Sequence, residues 1–109
     1  AYVYAGGDSK DPHAVARAIL SEAKRLTEEG LDEAYYRRIV NANFGAALKA
    51  LNSFESIAVS MAEGCFHHYD PYRFPEVYDS ITQQDVLDFI RENFVESHMA
   101  LSVIHPKEG

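Results

Sequence analysis

Hydrophobic residues follow two rhythms along this chain. Between Asp11 and Phe94 they return every third or fourth residue, the period of an α-helix, while at both ends they run in short blocks. Val15, Ile19, Ala23 and Leu26 share one helical face, Asp11-Pro12 supplies an N-cap and a first-turn proline, and Gly30 closes the segment. Leu31-Asp32 restarts a helix at once. In it Tyr36, Val40, Phe44, Leu48 and Leu51 make one stripe, and Tyr35, Ile39, Ala42 and Ala46 make a second. A helix apolar on two sides is expected to lie between layers. Gly45 costs that helix about 1 kcal/mol relative to alanine, for which close packing against a neighbour would compensate.

Asn52 with Glu55 has the form of a capping box and predicts a third helix; the alternative is one long helix over 32–65. Phe54, Ile57, Ala58, Met61, Ala62 and Cys65 form its core stripe. Pro71 and Pro75 then break the pattern over residues 66–80, leaving room for one short turn at Pro75. Thr82 with Asp85 caps a last helix whose buried face is Val86, Phe89, Ile90 and Phe94.

The end blocks read differently. Ala1–Ala5 is a short apolar run, and Met99–Ile104 alternates Met99, Leu101 and Val103 with small residues; both are expected to be strands. The predicted fold class is therefore α+β, with helices packed on one face of a β-sheet in the order strand, three or four helices, strand. Two strands do not make a stable sheet in water. The expectation is a single subdomain over 1–109, a fragment whose sheet partners lie in a longer parent or in a second copy. Isolated, it should form a homo-oligomer through its strand edges.

Composition narrows the partners. The chain has 109 residues, 47% hydrophobic and 25% charged, as in an ordinary globular domain. Its net charge of −7 and scattered basic residues argue against nucleic acid and anionic membranes. The densest basic pair, Arg37-Arg38, follows Glu33 by one turn and reads as a solvated ion pair. No apolar run reaches the ~20 residues of a membrane span. The single cysteine, Cys65, excludes an internal disulfide and suits a reducing, cytoplasmic setting.

Catalytic constellations are missing from the sequence. A zinc protease needs His-Glu-x-x-His or His-x-x-Glu-His. None of His13, His67, His68, His98 and His105 stands in such a setting. Cys65, His67, His68 and Asp70 offer the right ligand types, but adjacent histidines do not readily face one ion, and the better reading is a polar helix end. The serines lack Gly-x-Ser-x-Gly, and Gly6-Gly7 is flanked by Asp8 and Asp11, which would repel phosphate. No catalytic, cofactor or metal residue is assigned. Phe66, Tyr69, Tyr72, Phe74 and Tyr78 could line a peptide groove, although a loop folded over the helices, burying its rings, is the simpler expectation.

Three stretches, Ala5-Gly-Gly-Asp-Ser-Lys-Asp-Pro12, Gly30-Leu-Asp-Glu33 and Ala50-Leu-Asn-Ser-Phe-Glu-Ser-Ile-Ala58, resemble the C-terminal part of insulinase/pitrilysin-type zinc peptidases, above all the bacterial YmfH-like branch. Ser80-Ile-Thr-Gln-Gln-Asp-Val86, followed by an apolar run and His105-Pro106, resembles the end of that family's domain. The resemblance covers nearly the whole chain. It implies a non-catalytic C-terminal segment that shapes a substrate chamber in a metallopeptidase hydrolysing peptides. The zinc would be held by a His-x-x-Glu-His in the missing N-terminal half. The partners it implies are the remainder of the parent peptidase and, in the parent, a peptide substrate. The family's substrate-contacting Arg and Tyr do not map onto Arg73 and Tyr72. The rival expectation is a non-enzymatic protein-interaction module derived from an inactive peptidase homologue.

Overall fold

A computed structural model describes residues 2–107. It holds five α-helices: α1 (Pro12–Glu29), α2 (Glu33–Ala50), α3 (Phe54–His67), α4 (Phe74–Ser80) and α5 (Gln83–Asn93). Short 3₁₀ turns at Pro71–Arg73 and Glu96–His98 complete the regular structure.

The α+β expectation is overturned, because among the described residues there is no strand. The first predicted strand falls partly on Ala1, which lies outside the described residues, as do residues 108 and 109. The rest of it, Tyr2–Ala5, has no regular structure, and Tyr2 and Tyr4 are 92% and 84% exposed. Met99–Ile104 is likewise irregular. The physical reason is that a helix satisfies its own N–H and C=O groups, whereas a strand needs a neighbour. Apolar alternation expresses a preference, and neither block finds a ladder partner. The strand edges expected to drive self-association are therefore not formed.

The helix signals fare better. Asp11 caps α1, its carboxylate accepting from the Ala14 N–H at 2.9 Å, and Gly30 ends it at φ +78. Asp32 caps α2 by accepting from the Tyr35 N–H at 2.8 Å. The chain then turns at 51–53, so the single helix over 32–65 is not formed. The cap of α3 is Ser53 rather than Asn52, its hydroxyl accepting from the Ser56 N–H at 3.2 Å. Thr82 and Asp85 form the reciprocal box expected at α5: the Thr82 N–H donates to the Asp85 carboxylate at 2.9 Å, and the Asp85 N–H donates to the Thr82 hydroxyl at 3.2 Å.

The chain divides into two compact units, Ala1–Gly30 with Leu87–Gly109, and Leu31–Val86. In the first, Ala23 and Leu87 are the buried apolar residues. Leu20, Ala23 and Thr27 of α1 share a groove of about 300 Å³ with Ile90 and Phe94 of α5, and the Arg91 guanidinium donates to the Thr27 carbonyl at 3.4 Å. The buried face of α5 differs from the expected one by a single exchange. Leu87 goes inside and Phe89 stays 39% exposed, because Leu87, Ile90 and Phe94 are the residues that fall in one row.

In the second unit α2 turns Tyr36, Val40 and Phe44 inward, each half-buried. Phe44 meets Phe74 and Tyr78 of α4 with ring centroids 5.5 Å away from each, a tilted and an edge-to-face contact worth about 1 kcal/mol apiece beyond the area buried. Gln83 ties the unit's two ends together by donating to the Leu31 carbonyl at 2.6 Å. The second stripe of α2 is uncovered: Tyr35, Ile39, Ala42 and Ala46 are all exposed. A Cβ at Gly45 would meet nothing within 4 Å, so the close packing expected there is also absent.

Candidate functional site

The loop expected to break the helical pattern builds a concavity in the second unit. Asp70 starts the build. Its carboxylate accepts from the Tyr72 N–H at 2.9 Å and caps the Pro71–Arg73 turn. The turn is held to α3 through Gly64, whose carbonyl accepts from the Tyr69 N–H at 3.0 Å. A Cβ on Gly64 would stand 2.6 Å from the Tyr69 carbonyl oxygen and 2.9 Å from Pro71 Cδ. Only a residue without a side chain lets the loop come this close. His68 closes α3 in the left-handed conformation at φ 58, which sends the chain back over the helix.

The result is a groove of about 280 Å³. Ala47 of α2, its C-cap Leu51, and Ile57 and Met61 of α3 make its apolar floor; Tyr69, Pro71, Tyr72 and Phe74 make its rim. Ser56 and Ser60 add hydroxyls. Tyr69 and Tyr72 are each 51% exposed, and a tyrosine offers both an apolar ring and a polar hydroxyl to a ligand. The volume is at the lower end of ligand sites and suits one or two apolar side chains.

The aromatic patch read from the sequence is thus divided three ways. Phe74 and Tyr78 join Phe44 in the packed cluster, Tyr69 and Tyr72 line the groove, and Phe66 projects elsewhere at 80% exposure. The loop buries some of its rings and displays others. Gly64, Ser56 and Ser60 escaped sequence reasoning; a glycine inside the helical stripe of 54–65 was the one available sign.

The residues of metal-ligating type do not converge. Cys65 is exposed on α3, and His67, two positions on, projects from the other side of the helix. Asp70 is engaged as a cap. Among the described residues no group of three or more His, Cys, Asp or Glu side chains is placed to hold one ion. Arg37 pairs with Glu33 at 3.0 Å, as its spacing implied, and Arg73 pairs with Glu76 at 2.6 Å beside the groove.

Among the described residues no helix is long and apolar enough to cross a membrane. No protein-family model, curated protein or solved structure matches the chain.

Proposed function

We propose that this chain acts by contact and carries no chemistry of its own, as the non-catalytic C-terminal segment of an insulinase-type zinc peptidase in a cytoplasmic setting. Its task is to shape the chamber in which the parent hydrolyses peptides, with the zinc held in the parent's N-terminal half. The observation that carries the reading is the groove of unit Leu31–Val86, with its apolar floor and its Tyr69–Tyr72 rim. Such a surface takes an extended peptide by one apolar anchor residue and offers tyrosine hydroxyls to the peptide backbone. The order of the motifs along the chain supports the peptidase ancestry.

The same groove favours a second reading, an interaction module descended from a peptidase that has lost its chemistry. The two readings share the groove and differ in the parent: a functional upstream His-x-x-Glu-His belongs to the first and a decayed one to the second.

The test is fluorescence anisotropy of a labelled, unstructured peptide rich in Leu and Phe, with and without added zinc. Binding is expected, without cleavage, and weakened about tenfold in Tyr72→Ala by loss of one aromatic anchor. Zinc-dependent cleavage, or no binding by the wild-type chain, would overturn the proposal.

A further inference from the structure

The chain leaves more surface uncovered than its size accounts for. Its accessible surface is 9352 Å². A folded monomer of this mass exposes about 6,100 Å², and two independent domains of half the mass would together expose about 7,300 Å². The surplus over even the second figure is about 2,000 Å², well above the ~800 Å² that one partner contributes to a stable interface.

Two helices of the second unit leave apolar faces of opposite charge exposed. On α2 the uncovered stripe Tyr35, Ile39, Ala42 and Ala46 is bordered by Arg38, whose guanidinium sits 5.7 Å over the Tyr35 ring, and by Lys49, one turn beyond Ala46. On α3 the uncovered stripe runs Phe54, Ala58, Ala62 and Phe66, with Phe54 88% and Phe66 80% exposed. It is bordered by Glu55 and Glu63. Among the described residues Arg38, Lys49, Glu55 and Glu63 enter no ion pair, unlike Arg37 and Arg73. Both stripes are similar in length, about 16 Å from Tyr35 to Ala46 and about 18 Å from Phe54 to Phe66. Their shapes also match, because phenylalanines on one face can seat over the alanines of the other as ridges enter grooves.

We infer that a second copy of this chain covers these faces, the α2 stripe of each protomer lying on the α3 stripe of its partner. A two-fold axis then uses both faces of both copies and sets Arg38 and Lys49 against Glu55 and Glu63 twice. The contact uses the outer faces of α2 and α3, apart from the groove, and does not rest on the peptidase reading.

Light scattering on the full chain over a concentration series reads the association, and the rate of maleimide labelling at Cys65, which lies on the α3 stripe, reads the face. A dimer is expected, with labelling that slows as dimer forms. Arg38→Glu with Lys49→Glu makes both faces acidic, and Glu55→Lys with Glu63→Lys makes both basic. Each double variant alone should dimerise at least about tenfold more weakly, through like-charge repulsion. Mixed in equal amounts, the two should pair with each other and restore slow labelling. A monomer at every concentration would overturn the inference. So would a dimer indifferent to the reversals, or a mixture of the double variants that fails to recover pairing while each retains its helical circular dichroism.

Discussion

Gly45 and Gly64 stand in successive helices of the same unit and hold opposite positions. Gly64, the buried residue of α3, lies under the loop at 69–71, where any Cβ would collide with backbone. Gly45 faces open space. The first glycine is a structural requirement and the second a standing cost. The same division runs through the whole unit. The inner faces of α2 and α3 are engaged by α4 and the Pro71–Arg73 turn, while apolar residues on their outer faces stay exposed. Apolarity alone does not say which face is covered; the approach of a neighbouring backbone does.

The contrast can be broken at its strongest point. Gly64→Ala should lower unfolding stability by about 1–3 kcal/mol, since the Tyr69 carbonyl and the Pro71 ring must retreat from the new methyl. It should also open the groove, so urea denaturation and the peptide anisotropy would both move. An unchanged midpoint would show that the loop does not press on α3.

Thr82→Ala comes next. It removes the hydroxyl that accepts from the Asp85 N–H and should cost about 1 kcal/mol by the same denaturation measurement. Gly45→Ala sharpens the other side of the comparison. With free space for the methyl and a mid-helix position, it should stabilise the chain by up to about 1 kcal/mol. A loss there would mean that something closes over α2 at that point.

The smallest effect concerns pH. The Asp85 carboxyl is held below its ordinary value of 3.8, chiefly by the Thr82 backbone hydrogen bond and then by the Thr82 side chain. A carboxylate with a depressed folded pKa adds stability above its unfolded value and loses it as pH falls through the folded one. Cap stability at α5 should therefore be intact above about pH 4 and decline below it, and the decline should shrink in Asp85→Asn. Amide exchange in the first turn of α5 reads it.

The helices were legible because their signals are local. Asp11, Asp32 and Thr82 each act within one turn, so spacing alone locates the caps. Ser53 displaced Asn52 because both are capping types one residue apart, and the turn geometry at 51–53 chose between them. The end segments were misread because a strand is a relation between segments, which a single run of residues does not encode. The groove was half legible. Its aromatic residues were visible as types, but which rings pack on Phe44 and which stay free depends on where Gly64 lets the loop touch down.

Two of the cap carboxylates have a chemical consequence beyond stability. Asp11 and Asp70 each precede a proline, and Asp-Pro is the peptide bond most readily cut by dilute acid, through attack of the aspartyl carboxyl on its own carbonyl. In the fold both side chains are engaged, Asp11 with the Ala14 N–H and Asp70 with the Tyr72 N–H. Acid fragmentation at these two bonds therefore clocks the release of each cap separately. The pieces 1–11, 12–70 and 71–109 have distinct masses, so a mass spectrum taken over time in acid mild enough to leave the helical circular dichroism intact tells which cap lets go first.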